Sequence, residues 1–142
     1  MFVKKIFSSN FINRLKTQEY EVRGYQESKI LIIGNQDIMD DDYILYKLLK
    51  LMGININLIA FSYPQENLHI FLKKSRVEYI FTLGMDAKNL FFEDLLGVIR
   101  GKFFNYDNRQ ILCTFAPYKN APKSFLKIIA QDLKNIKNIN YE

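Results

Sequence analysis

Residues 29–54, KILIIGNQDIMDDDYILYKLLKLMGI, join an apolar run to an amphipathic stretch through a short polar loop. The apolar run at residues 29–34 is rich in isoleucine and closed by glycine, which predicts a buried β-strand. After the aspartates at residues 40–42, apolar residues recur at helical spacing and predict an amphipathic helix. These aspartates suit its N-cap and first turn, and Gly53 stands where a left-handed C-cap belongs. The stretch therefore predicts a strand–loop–helix unit of an α/β fold.

The loop of this unit consists of Gly34, Asn35, Gln36 and Asp37. In an open α/β sheet, ligands and catalytic groups lie in the loops that follow the carboxyl ends of the strands. Neither G-x-G-x-x-G nor G-x-x-x-x-G-K-[ST] occurs in the chain, which argues against dinucleotide and P-loop sites. The aspartates at residues 40–42 could offer carboxylates to Mg²⁺, but consecutive helical residues point about 100° apart. Helix capping is therefore the preferred interpretation of these aspartates.

The rest of the chain continues the alternation of strands and helices, which predicts a three-layer α/β/α fold with a mostly parallel central sheet. Residues 1–28 are polar and weakly periodic, so we expect an amino-terminal arm outside the sheet and a single α/β domain over residues 29–142. Further strands are predicted at residues 56–61 and 77–84, and two more on either side of a turn at residues 107–109. Helices are predicted at residues 66–74, 86–96 and 122–136. The second of these helices is expected to begin at a cap, Asp86, and to end before Gly97.

Composition narrows the function classes. The 142 residues are 49% hydrophobic, enough for one domain, and no apolar run approaches the ~20 residues of a membrane span. The single cysteine, Cys113, and the single histidine, His69, both lie in apolar stretches that favour structural roles, and they argue against disulfides, metal clusters and histidine-dependent triads. We expect a cytoplasmic protein without metal or cofactor. The net charge of +5 is compatible with contact to nucleic acid or to an acidic protein. The codon bias of an AT-rich genome, which favours lysine, would produce the same charge without either contact.

Five short pieces stand in order within residues 76–136, and together they resemble the carboxyl half of the uracil-DNA glycosylase superfamily. Those enzymes have a strand ending in Leu-Gly, a helix starting with a small residue, an Arg-Gly step, a His-Pro loop and a lysine-bearing helix. The resemblance implies a uracil-DNA glycosylase-like fold. The corresponding pieces are Leu83-Gly84, Ala87, Arg100-Gly101, Thr114-Phe115-Ala116-Pro117, and Lys127 with Asp132-Leu133.

Two departures from that superfamily concern the chemistry. Ala116 stands where the catalytic histidine of the His-Pro loop would be, and the first loop is shortened to residues 34–37. No aromatic residue can be assigned to stack on uracil, because Tyr43 already belongs to the predicted helix. The resemblance therefore implies a vestigial loop of Gly34, Asn35, Gln36 and Asp37, and no catalytic residue.

The arm carries Leu15, Thr17-Gln18, Tyr20 and Arg23. This pattern, ahead of a strand and a short Asn-Asp loop, resembles the psi-subunit family of bacterial DNA polymerase III holoenzymes, which has the same fold without glycosylase activity. The resemblance implies a subunit that is not an enzyme by itself and that bridges the gamma/tau clamp loader to the chi subunit during DNA replication. Chi in turn binds single-stranded-DNA-binding protein.

In this interpretation the five arm residues contact gamma/tau, with Tyr20 as the anchor and Arg23 as its charged neighbour, and the folded domain packs against chi. Two alternatives stay open. One is an active uracil-DNA glycosylase that depends on Asn35 or Asp37 and binds DNA in a basic, aromatic groove. The other is a glycosylase-fold protein that acts by binding a different partner.

Overall fold

The computed structural model describes residues 20–92 and 99–141, while residues 1–19, 93–98 and 142 lie outside it. Within the described residues, one sheet contains six strands: β1 (Arg23–Gly24), β2 (Ile30–Ile33), β3 (Ala60–Ser62), β4 (Tyr79–Leu83), β5 (Phe103–Tyr106) and β6 (Arg109–Thr114). The same residues form the α-helices α1 (Ile44–Leu51), α2 (Leu68–Lys74), α3 (Met85–Lys88) and α4 (Lys123–Leu133), and 3₁₀ helices at Gln36–Met39, Ile56–Leu58 and Lys134–Asn138.

The strand order is β1-β3-β2-β4-β6-β5. The four inner strands are parallel, whereas β1 and β5 are antiparallel to their neighbours at the two edges. The chain passes from β2 to β3 on one side and then crosses back to β4 on the other. The carboxyl ends of β2 and β4 therefore flank the point where strand order reverses, and open α/β sheets bind ligands at such points.

The core has two halves, one on each face of the sheet, because successive strand residues point to opposite faces. Ile30 and Ile32 of β2 pack with residues of α1 and α4. Leu31 and Ile33 pack with residues of α2 and α3. Burial on both faces explains why β2 is a continuous apolar run rather than an alternating one. The prediction of a mostly parallel sheet covered by helices on both faces is confirmed.

The predicted helix cap at residues 40–42 is wrong. Helix α1 begins at Ile44, its N-cap is Tyr43, and no side chain caps it. The residues before the aspartates form a 3₁₀ turn at Gln36–Met39, and the N–H of Asp40 donates to the carbonyl of Asp37 at the end of that turn. The helix start therefore falls beyond the aspartates. Gly53 has the left-handed conformation predicted for it, with φ of +79°.

Two predicted elements have different bounds in the structure. The strand predicted at residues 56–61 starts later, because Asn55 caps a 3₁₀ turn by accepting a hydrogen bond from the N–H of Asn57. Helix α3 spans only Met85–Lys88, and its N-cap is Gly84 instead of Asp86. The rest of the predicted 86–96 helix from residue 93, and its stop at Gly97, lie outside the described residues. The hairpin of β5 and β6 and the final helix occur where they were predicted.

The expectation that the first 28 residues stay outside the sheet is wrong for Arg23 and Gly24. Strand β1 pairs with β3, where Arg23 lies opposite Phe61. Gly24 has φ of +87°, and a Cβ there would lie 2.3 Å from the carbonyl oxygen of Ile59. Ser28 is buried and donates to the carbonyl of Leu58. These residues belong to the folded domain. None of the helices in the described ranges is long and apolar enough to cross a bilayer.

Candidate functional site

The loop after β2 lies at the carboxyl edge of the sheet, where it was expected. Gly34 is buried, and its N–H donates to the carbonyl of Ser62 at 2.9 Å. The side chain of Asn35 accepts a hydrogen bond from the N–H of Asp37 at 3.0 Å and starts the 3₁₀ turn. Asn35, Gln36 and Asp37 are all exposed. The amide oxygen of Asn35 therefore holds the loop itself in shape.

Ile38, the residue after this loop, turns inward. Its side chain is fully buried, and Leu83 at the end of β4 is 2% exposed. A Cβ placed on Gly34 would lie 3.4 Å from Ile38 and 3.5 Å from Leu83, so both side chains contact the backbone of the loop. The phenol of Tyr46 donates to the carbonyl of Ile38 and holds it down. Aliphatic groups thus occupy the space between the ends of β2 and β4.

A tyrosine joins the loop region after β2 to the loop after β6. The buried phenol of Tyr43 donates to the carbonyl of Pro117 at 3.3 Å, and burial raises the pKa of Tyr43 well above its ordinary value, with the charge of Asp37 acting in the same direction. Ala116, at the expected histidine position, presents only a methyl group. A Cβ on Gly84 would lie 3.3 Å from that methyl group, so the two loops are in close contact.

Several pieces of the glycosylase resemblance meet around the carboxylate of Asp132 in α4. Nη1 of Arg100 lies 2.7 Å from both carboxylate oxygens, and the hydroxyl of Thr114 donates to Oδ2 at 2.5 Å. Asp132 is only 4% exposed. Gly101 has φ of +80°, and a Cβ there would lie 2.6 Å from Oδ1. The cluster ties α4 to the end of β6 and to the turn before β5, which is a structural role.

The remaining pieces of that resemblance are divided between the core and the surface. Ala87 and Leu133 are buried, whereas Lys127 lies on the exposed face of α4.

Cys113 is buried in β6, and burial raises the pKa of its thiol. His69 lies on the exposed side of α2, with Nδ1 3.2 Å from the carbonyl oxygen of Glu66. Among residues 20–92 and 99–141, no group of three or more His, Cys, Asp and Glu side chains could hold a metal ion.

The expected partner-binding residues fall into two groups. Leu15, Thr17 and Gln18 lie outside the described residues. The ring of Tyr20 packs on Phe71 with centroids 5.7 Å apart. Arg23 donates to the carbonyl of Met39 at 2.8 Å, forms an ion pair with Asp41, and places its guanidinium 5.0 Å from the ring centroid of Tyr46. Tyr20 and Arg23 thus contact their own domain.

A contact that the sequence did not reveal fixes the point where the arm meets the domain. The side-chain amide of Gln65 accepts a hydrogen bond from the N–H of Glu21 at 2.8 Å and donates to the carbonyl of Glu21 at 2.9 Å. The carboxylate of Glu21 accepts a hydrogen bond from the phenol of Tyr63 at 2.7 Å, and this contact raises the pKa of Tyr63. The side-chain amide of Gln65 therefore binds the backbone of Glu21 in the way that a residue of a neighbouring strand would.

A second feature missed in the sequence is a group of aromatic rings at the carboxyl end of β6. Phe115 stacks on Phe125 with centroids 5.3 Å apart, and Tyr118 packs on Phe125 at 5.4 Å. The guanidinium of Arg100 lies 5.7 Å from the ring centroid of Phe115. Phe115 and Tyr118 are 42% and 52% exposed. We call Phe115, Tyr118 and Phe125 the aromatic platform.

Comparison with known proteins gave no match, either among protein-family models or among curated proteins. The functional conclusion therefore depends on the residues and geometry described above.

Proposed function

We propose that the chain is a psi-type accessory subunit of a bacterial DNA polymerase III clamp-loader complex. It bridges the gamma/tau clamp loader to the chi subunit and uses a uracil-DNA glycosylase-like fold without excision chemistry. The observation that carries the proposal is the burial of Ile38 at the switch point of the sheet, where a base-binding enzyme needs open space.

The geometry of the carboxyl edge supports a non-catalytic role. A base-excising enzyme flips its target nucleotide into a fitted pocket that reads and stacks on the base. Here Ile38 and Leu83 pack against Gly34 between the ends of β2 and β4. The hydrogen bond from Tyr43 to Pro117 joins the two neighbouring loops across this edge. With Ala116 at the histidine position, the side chain there has no group that could stabilise or transfer charge.

The arm supplies the contact with gamma/tau in this proposal. Because Glu21 is bound to Gln65 and β1 pairs with β3, residues 20–24 are held in a fixed position on the domain. Leu15, Thr17 and Gln18 make the main contact. Tyr20 is half-buried against Phe71 and contributes the exposed part of its ring, and Arg23 holds the base of the arm against the domain. The folded domain binds chi.

The test is size-exclusion chromatography of the full-length protein with clamp-loader and chi subunits from the same source. Substitutions are preferable to a deletion of residues 1–28, because that deletion also removes β1 and buried Ser28. The variant Leu15→Ala/Thr17→Ala/Gln18→Ala is expected to lose co-elution with gamma/tau and to keep co-elution with chi. Asn10→Ala/Asn13→Ala, in the same segment, is the matched control and should keep both partners.

Absence of co-elution between the unsubstituted protein and either partner would overturn the proposal. A uracil-excision assay then separates the alternatives. Release of uracil that disappears in Asn35→Ala or Asp37→Ala would identify an active glycosylase. No release together with no partner among these subunits would leave a glycosylase-fold protein that binds a different partner.

A further inference from the structure

Strand β5 is an edge strand whose outer side has no strand partner among residues 20–92 and 99–141. It pairs with β6 alone and ends the strand order of the sheet. Its sequence, FFNY, contains neither proline nor a charged residue, which commonly keep edge strands from pairing with other chains. Aromatic residues, which favour strands, fill three of its four positions. The outer side of β5 is therefore suited to a further strand.

The β5–β6 turn fixes which residues of β5 bond to β6. Asp107 and Asn108 have φ of +49° and +65°, as in the two-residue turns of tight hairpins. In such a hairpin the residues that flank the turn, here Tyr106 and Arg109, form a hydrogen-bonded pair. Bonded and non-bonded pairs alternate from there along the strands. Phe104 is thus the second residue of β5 that bonds to β6.

Phe103 and Asn105 occupy the non-bonded positions of this ladder. The residue opposite Asn105 is Gln110, and its N–H donates to the carbonyl of Glu78, next to β4, at 2.9 Å. It therefore points away from β5, as a non-bonded pair requires. The N–H and C=O groups of Phe103 and Asn105 accordingly point to the outer side of the sheet. Their separation of two residues is the repeat with which an antiparallel strand bonds.

The rings of β5 are held by contacts within the chain. Phe104 packs against Phe92 with centroids 6.0 Å apart on one face of the sheet, and Phe103 packs against Phe81 at 5.7 Å on the other. A strand that is already ordered loses little conformational entropy when another strand pairs with it.

The two ends of β5 carry opposite charges. Lys102 precedes the strand, Asp107 follows it, and both are exposed. When two copies of β5 run antiparallel, the Lys102 end of each lies beside the Asp107 end of the other. The ammonium of Lys102 then also lies across from the ring of Tyr106, which is 41% exposed. An identical strand thus matches both ends of β5 in charge, whereas a uniformly acidic or basic segment would match only one.

We propose that β5 pairs antiparallel with β5 of a second copy of this chain and joins two six-stranded sheets into one. Phe103 of each copy lies opposite Asn105 of the other, and each of these pairs exchanges two backbone hydrogen bonds. Phe104 lies opposite its own counterpart at the two-fold axis. A register shifted by two residues would need Gly101, whose N–H already donates to β6, or Asp107, which belongs to the turn. The pairing goes beyond the proposed bridging function and does not depend on it.

The test is sedimentation velocity of the full-length protein between about 1 and 300 µM, in about 0.15 M salt to screen the net charge of the chains. A monomer–dimer equilibrium is expected. Asn105→Pro removes an N–H that β6 does not use, so it should keep the fold and weaken the dimer at least about 5-fold, for one hydrogen bond lost in each copy. Asn105→Ala, which keeps the N–H, is the matched control and should dimerise as the unsubstituted protein does.

A charge reversal tests the pairing without a change in the strand itself. Lys102→Glu places like charges together at both ends of the paired strands and should weaken the dimer about 5-fold or more. Adding Asp107→Asn removes one charge of each repelling pair and should restore most of the affinity. Asparagine suits the left-handed conformation at this position, so the turn is kept.

Disulfide trapping tests the register. Phe104→Cys places two thiols directly opposite each other at a non-bonded pair, with Cα atoms about 4.5 Å apart, and should cross-link under mild oxidation. Asn105→Cys is the control, because its two copies are offset by two residues and lie about 8 Å apart, too far for a disulfide. The native Cys113 is buried and should not contribute.

Three results would overturn the proposal. The first is a chain that stays monomeric throughout this concentration range and does not cross-link, which would leave the edge to an extended segment of a different protein. The second is a dimer that neither Asn105→Pro nor Lys102→Glu weakens, because it would use another surface. The third is equal cross-linking of Asn105→Cys and Phe104→Cys, which would exclude this register.

Discussion

The side-chain amide of Gln65 binds both backbone polar groups of Glu21, accepting from its N–H at 2.8 Å and donating to its carbonyl at 2.9 Å. We expect Gln65→Leu to release residues 20–22 while the sheet stays folded, because an aliphatic side chain can make neither bond. The expected loss in the free energy of unfolding is about 1 kcal/mol, since these bonds are exposed. Hydrogen exchange should show faster exchange of the Glu21 amide.

Gln131→Leu is the control for this change, because Gln131 is an exposed glutamine on α4. It should leave the exchange of the Glu21 amide as it is in the unsubstituted protein. Unchanged exchange in Gln65→Leu would mean that β1 pairing alone holds this segment.

Asp132 should be a position where a single substitution has a large effect. Asp132→Ala leaves the hydroxyl of buried Thr114 without its acceptor and Arg100 without its partner. Arg100 is 41% exposed, so we expect a loss of about 2–3 kcal/mol, below the value for a fully buried pair. Thr114→Val should cost about 1 kcal/mol, and Asp42→Ala, at an exposed carboxylate, close to zero. Urea denaturation would measure this order, and equal effects at Asp132 and Asp42 would contradict it.

Two glycines with nearly the same φ allow the cost of a left-handed φ to be separated from the cost of a steric clash. Gly101 and Gly53 have φ of +80° and +79°. A Cβ at Gly53 meets nothing within 4 Å, whereas one at Gly101 would lie 2.6 Å from Oδ1 of Asp132. Gly53→Ala should therefore cost about 1 kcal/mol for the left-handed conformation alone. Gly101→Ala should cost at least about 1 kcal/mol more, because the ion pair must shift.

Chemical denaturation of both variants would measure this difference. Similar losses at the two positions would mean that the carboxylate of Asp132 moves aside freely, and would also weaken its assignment as a structural tie between α4 and β6.

Stability should fall at alkaline pH through Tyr46. Burial raises the pKa of Tyr46 to about 12, against the opposing charge of Arg23 and with Asp41 acting to raise it. Because the unfolded chain releases this proton near pH 10, the stabilisation is fully present below pH 10 and is lost as pH rises towards 12. The loss amounts to about 2–3 kcal/mol. Unfolding curves between pH 9 and 12 should show a shallower decline for Tyr46→Phe, and identical declines would contradict the assignment.

Cys113 should act as a reporter of unfolding. Its thiol is buried in β6, and burial raises its pKa, so the reactive thiolate is rare in the folded protein. We expect negligible labelling by a thiol reagent under native conditions and stoichiometric labelling in denaturant. Rapid labelling of the native protein would show that the strand opens locally. Where labelling requires global unfolding, the less stable variants above should label about tenfold faster for each ~1.4 kcal/mol of stability lost.

The sequence predicted the framework because burial leaves a regular pattern. β2 is a four-residue run of Ile and Leu buried on both faces, and the spacing of Leu45 and Leu49 identified α1. The helix start was wrong because an aspartate suits an N-cap and a turn equally well. Here Asp41 pairs with Arg23, and Tyr43 takes the N-cap position. Whether an aspartate caps the helix or belongs to the preceding turn is thus decided by contacts between residues distant in sequence, such as Arg23 and Asp41.

The candidate site was predictable only in location. The position of the loop after β2 could be predicted from the apolar strand and the glycine that closes it. The burial of Ile38 could not be predicted, because it depends on contacts with Leu83 and Tyr46. The platform could not be found from spacing, because Phe115 and Phe125 belong to separate elements and meet only in the folded chain. The contact of Gln65 with Glu21 joins residues 44 positions apart, and a glutamine in a loop carries no local pattern that would indicate it.

The two-residue strand β1 also has a protective consequence. Without it, the outer side of β3 would be a free sheet edge, and unpaired strand edges promote aggregation and domain swapping. Gly24 fits so closely against Ile59 that no larger residue could take its place without displacing the strand. The base of the arm therefore shields the sheet from other chains, and selection for solubility alone would keep it in place even where no partner bound the arm.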